Sequence, residues 1–325
     1  MSPGPSRRGL LAAPLLLAPR ASRAQPAWPA RPVRIVVPFL PGGIIDTLAR
    51  MIADPLQRSL GQPFVIENRG GAGGNVGTAV VARAKGDPYT LLLGSSGPLA
   101  VSPTLESNLG FDPATDFSPV TILARTPLVL VVPANSPWRD LRSMMDALRG
   151  VRQDVMYPTP GLGSPQLLAG EQLRQRVGFP AQAVHYNGSA PVVMAIVAGE
   201  MPYTFENLVL VAQQVRQGAL QALAVTSAER APLLQDVPTM SEAGLPGFEA
   251  GGWYGLLAPA EIPAGIVPRL HAATVAALAE PEVKRRIAEM GSPSISSSPD
   301  EFRAMIAAET VKWRGVLLAG RASPR

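Results

Sequence analysis

The stretch VVPFLPGGIIDTLARMIA (36–53) decides how this chain is read. An apolar, β-branched run enters Pro41-Gly42-Gly43, and a pattern with Leu48, Ile52, Leu56 and Leu60 recurring every four residues leaves it. The first half has the composition of a buried strand, and the second the single apolar stripe of a helix expected over 46–60. Pro55 falls inside that helix and is expected to kink it, because its ring nitrogen cannot donate to the Met51 carbonyl. Strand, small-residue loop and helix together are the repeating unit of α/β proteins. The open backbone of the loop then holds a phosphate, a carboxylate, or nothing beyond a tight turn.

The same unit recurs along the chain. Strands are expected at VRIVVPF (33–39), FVIEN (64–68), YTLLLGS (89–95), LVLVVP (128–133), DVMYPT (154–159), MPYTFEN (201–207) and LQALAVT (220–226). Helical patterns lie between them, one over 78–84. Ser136-Pro137 and Ser298-Pro299 read as N-caps followed by proline in the first turn, the second reinforced by Glu301 in a capping box. They predict helices over 137–148 and 299–318. Crossings near 125–127 and 228–238 divide the chain into domain 1 (25–126 plus 228–325) and domain 2 (127–227), each a three-layer α/β unit. Ligands of such folds sit outside the carboxyl ends of the strands, here between the lobes.

Bulk properties narrow the function. The 325 residues are enough for two domains with cores of their own, and the 35 prolines are scattered without period, as loop punctuation. The formal charge of +5 suggests a nucleic-acid or membrane surface, but four arginines (Arg7, Arg8, Arg20, Arg23) lie in an acid-free first 24 residues. The body that remains carries 25 basic against 24 acidic residues, with no basic stripe, and excludes a nucleic-acid partner. Residues 1–24 read as a cleaved export signal, with LLAAPLLLAP (10–19) half the length of a membrane span and Ser22 and Ala24 before the cut. SRRGLL (6–11) fits a twin-arginine signal, with the general secretory route as the alternative. No cysteine is present, so lipid anchoring, disulfides and thiolate metal sites are excluded.

Catalytic and cofactor signals are weak. His185 and His271 are the only histidines, and neither has a partner at metal-ligand spacing. GSSG (94–97) runs into Pro98 and does not match the strained G-x-S-x-G elbow; no pairing of Ser96 or Ser164 with His185 follows from the sequence. GGAGGNVG (70–77) is a loose variant of a dinucleotide fingerprint, without the acidic residue that should follow some 20 positions on. Its alternative is a close-packed helix entry. No metal or cofactor is expected, and no enzyme.

A set of small-residue loops remains, each between a strand end and a helix start: PGGIID at Gly42, LGSSGPL at Ser95, TPGLGSP at Gly161, YNGSAPV at Gly188 and FENL at Glu206. Glycine lets backbone approach a ligand, and helix N-termini offer unpaired N–H groups to an anion. One exposed helix end contributes only about 0.3–1 kcal/mol, whereas micromolar affinity needs about 8 kcal/mol. Several loops must therefore converge on a small polar or anionic ligand.

Taken together, VVPFLPGGIIDTLAR, VIENRGGAGGNVG, DPYTLLLGSSG, YNGSAPV, LQALAVTSAERAPLLQDVPTMSEAGLPGFE and WYGLLAPAEIP resemble the Bug-type periplasmic solute-binding receptors of tripartite tricarboxylate transporters, over residues 28–318. The resemblance implies a type II, Venus-flytrap periplasmic-binding-protein fold and capture of a small carboxylate. It also implies delivery to membrane transporter subunits, or in some members to a sensory partner, and a monomer. The family's ligand loops fall on Pro41, Gly42, Gly43 and Asp46, on Ser95 and Ser96, on Gly161, Gly163 and Ser164, and on Tyr186, Gly188, Ser189 and Ala190. Ser164 and Ser189 would grip a carboxylate, while Gly43 and Ser96 would set what lies at its far end. Three departures stand out. Ile44 and Ile45 replace small or polar residues, Ser164-Pro165-Gln166-Leu167 lacks a frequent histidine, and the usual F-D-N reads Phe205-Glu206-Asn207. The two isoleucines imply a less polar first-lobe wall and a monocarboxylate, aromatic or branched, unless their side chains belong to the core. The competing readings are a secreted α/β enzyme acting on a small organic acid, and a sensory ligand-binding protein without its own transporter.

Overall fold

The computed structural model describes residues 28–322 apart from positions 162, 187 and 293; the expected export signal lies outside them. The apolar run before Pro41 forms β1 (Val33–Val37), and the four-residue repeat forms α1 (Ile44–Leu60). The helix runs continuously with Pro55 inside it, and it ends at Gly61 in the left-handed conformation. β2 (Phe64–Asn68), α2 (Asn75–Ala82), β3 (Thr90–Ser95) and the short α3 (Ser102–Leu105) follow. β4 (Phe117–Pro133) then leads to α4 (Leu141–Arg149), β5 (Val155–Thr159), α5 (Pro165–Val177), β6 (Ala181–His185) and α6 (Ser189–Val197). Next come β7 (Thr204–Asn207), α7 (Leu208–Arg216), β8 (Leu220–Val225), β9 (Gly251–Pro259), α8 (Ile266–Ala279), α9 (Pro281–Glu289) and α10 (Pro299–Ala322).

The strands run β2-β1-β3-β9-β4, with β1 parallel to β2 and β3 and with β9 antiparallel to β3 and β4. β4 serves both lobes. Its residues from Phe117 to Pro127 pair with β9, and those from Leu128 onward pair with β7 and β8. The parallel pair β5–β6 completes the second lobe, tied to β7 where Thr204 Oγ1 donates to the Pro158 carbonyl at 2.9 Å.

Alternation along the strands builds a core on each face of each sheet. In the first lobe Val33, Ile35 and Val37 pack with Leu48, Ile52 and Leu56 of α1, while Val36 faces Trp253, Phe302 and Trp313 on the other side. In the second lobe Leu128, Leu130 and Val132 join Tyr157, Tyr203 and Phe205, and Val129 and Val131 join Leu208 and Val211. The result is a two-lobed, mixed α/β periplasmic-binding-protein fold.

Three local expectations need correction. α4 starts at Leu141 rather than 137, because Asp140 and Ser143 form a reciprocal capping box, while Ser136 accepts from Trp138 N–H in a turn. Ala231, Leu234 and Val237 pack into one second-lobe core, and Met240, Leu245 and Phe248 into the other. The chain therefore returns to the first lobe at Gly251, later than the crossing expected from 228. There the two crossovers touch: a Cβ on Gly251 would lie 2.5 Å from the Thr126 carbonyl oxygen, so only glycine fits. Finally, β6, β9 and the first half of β4 have no counterpart among the expected strands. The helix over 299–318 does form, its Ser298–Glu301 box closed by both hydrogen bonds.

Candidate functional site

The first-lobe loop is held from beneath. Asp46, one turn into α1, accepts from Gly42 N–H at 3.0 Å, from Asn68 Nδ2 at 3.0 Å and from Arg50 Nε at 3.0 Å. Arg50, with help from the Gly42 and Asn68 donors, draws its carboxyl down to about 2 against the opposing effect of burial. Asp46 is thus spent on fixing the Pro41-Gly42 turn. Gly42 and Gly43 are exposed, and a Cβ on either would meet open space. Gly43 starts α1 without any side-chain cap, so its first amides remain free. Ile45 is buried in the first-lobe core, whereas Ile44 is half-buried at the helix start.

β3 ends in Ser95, with Ser96 directly after it, both buried. The Ser95 hydroxyl has no hydrogen-bond partner among the described residues. Ser96 Oγ lies 3.8 Å from the position a Cβ on Gly252 would take, and the Pro165 ring lies 3.6 Å from that same point. A Cβ on Gly97 would lie 3.9 Å from the Gly73 carbonyl and 4.0 Å from the Gly163 carbonyl. The end of β3 therefore touches the glycine-rich loop of its own lobe and the α5 loop of the other.

In the second lobe Gly161 accepts from Ser164 N–H at 3.3 Å, and Ser164 Oγ caps α5 by accepting from Leu167 N–H at 3.2 Å. Its hydroxyl proton is left to donate. Tyr186 N–H donates to the Thr159 carbonyl at 2.9 Å, fastening the β6 loop to the end of β5. Gly188 precedes α6 without a side-chain cap; Ser189 is half-buried and Ala190 exposed. Glu206 is fully buried. Its Oε1 accepts from Gln166 Nε2 at 2.7 Å, Asn207 N–H at 2.7 Å and Asn207 Nδ2 at 3.1 Å, while Oε2 has no partner among the described residues. Burial raises its pKa, opposed by the donors on Oε1 and by the nearby Ser189 hydroxyl.

The structure thus brings together Gly163 with the end of β3, and Glu206 and Asn207 with the starts of α5 and α6. Thr126 and Gly252 were not singled out from the sequence, and Gln166 and the glycine-rich run holding Gly73 were noted there without being placed in the site. The histidines stay apart, His185 Nδ1 2.8 Å from Thr159 Oγ1 and His271 Nε2 2.9 Å from the Ser297 carbonyl. Among the described residues no acidic or histidine cluster could hold a metal. A cavity of about 470 Å³ opens at the crossovers, lined by Thr126, Thr226, Gly251, Gly252 and Lys312 among others.

Two lobes that share β4, with uncapped or serine-capped helix starts in both, define a solute receptor of the periplasmic-binding-protein class. The profile of the TctC family, described as tripartite tricarboxylate transporter family receptor, matches residues 48–320. The chain belongs to that family, and it is a binding protein and not an enzyme. Protein BugT of Bordetella pertussis is 36% identical over 291 residues, 89% of each chain. Rpa4515 of R. palustris, solved with adipate, is 36% identical with a TM-score of 0.77, covering 89% of this chain and 97% of its own. MatC of Rhodopseudomonas palustris, solved with bound malate, is 33% identical with a TM-score of 0.75, covering 89% and 99%. Among the described residues no helix is long and apolar enough to cross a membrane.

Proposed function

We propose that the chain captures a small carboxylate between its lobes and delivers it to the membrane subunits of a tripartite tricarboxylate-type transporter. The observation that carries this reading is a set of uncapped or serine-capped helix starts on both lobes: α1 at Gly43 in the first, α5 at Ser164 and α6 at Ser189 in the second. Free amides and hydroxyl protons on both lobes suit an anion. Related receptors solved with adipate and with malate support the ligand class.

In this reading the Ser164 and Ser189 hydroxyls, with the amides around Gly161, Gly163, Gly188 and Ala190, grip one carboxylate. Pro41, Gly42, Gly43, Ser95 and Ser96 face the rest of the ligand, with Tyr186 at the rim. Asp46, Glu206 and Asn207 act from behind, by fixing the loops. Ligand bridging the lobes stabilises the closed state, and its differential contacts drive the population shift. The protein acts in the periplasm as a monomer, after residues 1–24 have directed its export.

Calorimetric titration against matched mono- and dicarboxylates tests this. At least one acid binds at micromolar concentration, and Ser164→Ala and Ser189→Ala each weaken it about 10-fold or more, the worth of one hydrogen bond to a charged group. Absence of binding to every small acid, or serine variants that bind like the parent, refutes the assignment.

A further inference from the structure

A recess of about 280 Å³ lies beside the loops, and both lobes line it. Ile44 and Met51 of α1 form one wall, Val209 and Leu210 of α7 the other, and Met290, just past α9, closes the back. Thr47 also borders it, with its hydroxyl donating to the Gly43 carbonyl at 3.1 Å. The exposed Arg286 and Glu289 also line it, Glu289 paired with Arg285. The recess begins where the clamp loops end: Ile44 directly follows Gly43, and Val209 comes two residues after Asn207. Consecutive Cα atoms are ~3.8 Å apart, so a ligand held at Gly43 is one short carbon chain from the recess.

We propose that this recess is an apolar subsite that takes the aryl or branched-alkyl arm of a carboxylate held by the loops; the inference rests on the carboxylate-receptor reading. An apolar cavity of ~150 Å³ accommodates benzene, so the volume here holds a ring with its linking carbons. Partly exposed Val209 and Leu210 on one lobe face Ile44 on the other. An arm lying between them would be buried from both sides when the lobes close, and arm length and closure become linked. The wall that Ile44 provides therefore selects for apolar bulk, which small or polar residues at that position would not.

The test is a titration series on the full receptor: acetate, butyrate, 3-methylbutyrate and 3-phenylpropanoate, with malate and adipate as polar-ended comparators. Affinity should rise about 10–100-fold from acetate to the aryl and branched acids, the discrimination usual for a few apolar carbons in a fitted pocket. Two substitutions on the half-exposed Leu210 separate size from polarity. Leu210→Ser should remove most of the gain, and Leu210→Trp, which fills the recess, should abolish it, both leaving acetate as in the parent. A series flat in arm size, or gains that survive Leu210→Trp, overturns the subsite while leaving the carboxylate reading intact. Preference for malate or adipate over every monoacid overturns it too. If no acid of any length binds, the receptor assignment itself fails and the subsite with it.

Discussion

Each lobe secures its proposed ligand loops with one carboxylate, and the two do so in opposite ways. Asp46 in the first lobe shares its two oxygens among Gly42, Asn68 and Arg50, so every lone-pair direction that matters is answered and the charge is neutralised by an adjacent cation. Glu206 in the second lobe loads three neutral donors onto Oε1 and leaves Oε2 bare in a fully buried setting. One arrangement favours the ionised acid and the other the protonated acid. The lesson is that a carboxylate near an anion site need not repel the anion. It can be paired, as Asp46 is, or disfavoured as a charge, as Glu206 is, and in both cases its task is to hold backbone and amide donors in place.

The largest effect that would break this contrast is expected at Glu206. Replacing it with alanine leaves Gln166 Nε2 and two Asn207 donors buried without an acceptor, a cost of about 2–4 kcal/mol. Thermal unfolding should move down by several degrees, at about 2–4 °C for each kcal/mol in a chain of this size. A variant as stable as the parent would mean that the three hydrogen bonds are not what orders the second-lobe loops. Asp46→Ala should cost less, about 1–2 kcal/mol, because Arg50 is more than half exposed and its share is screened. Its clearer signature is in binding. With Gly42 N–H released, the turn before α1 loosens and ligand affinity should fall several-fold in calorimetry, whereas Arg50→Ala, which spares the Gly42 and Asn68 contacts, should change it little.

How much of this was legible depends on the range of the interaction. The period-two strands and the four-residue repeat of α1 depend on near neighbours, and Val33 to Val37 with Leu48, Ile52 and Leu56 are readable on that basis. β9 carries glycines at 251, 252 and 255, which break its apolar run and hide a nine-residue central strand. Residues 228–248 have no period at all, yet Leu234, Met240 and Phe248 plug the second-lobe cores, so the crossing was expected too early. Among the loops, small residues before helix starts were visible, but the work of each carboxylate was not. Whether Asp46 faces a ligand or its own turn is decided by Asn68, 22 positions away, and the state of Glu206 by Gln166, 40 positions away. The glycine-rich run at 70–74 looked like a mere helix entry because its neighbour Gly97 lies on another strand–helix loop.

The smallest effect is also the most diagnostic, since it depends on protons alone. Glu206 has its folded-state pKa raised by burial, so its contribution to stability is full below the ordinary carboxylate range and is lost as pH rises through the folded value. Glu206→Gln imitates the protonated acid: its carbonyl oxygen still receives the three donors, and its amide takes the place of Oε2. The variant should match the parent in mild acid and become the more stable of the two as pH increases. Asp46 runs the other way. Its pKa is lowered from 3.8 to about 2, so its contribution is present above 3.8 and lost as pH falls through about 2. The stability difference between the parent and Asp46→Asn should accordingly shrink between pH 4 and about 2. Denaturant unfolding of both variants across the pH range reads the two slopes directly. If instead the parent gained on Glu206→Gln as pH rises through the ordinary carboxylate range, the buried glutamate would be ionised and compensated like Asp46. The two lobes would then secure their loops by the same means.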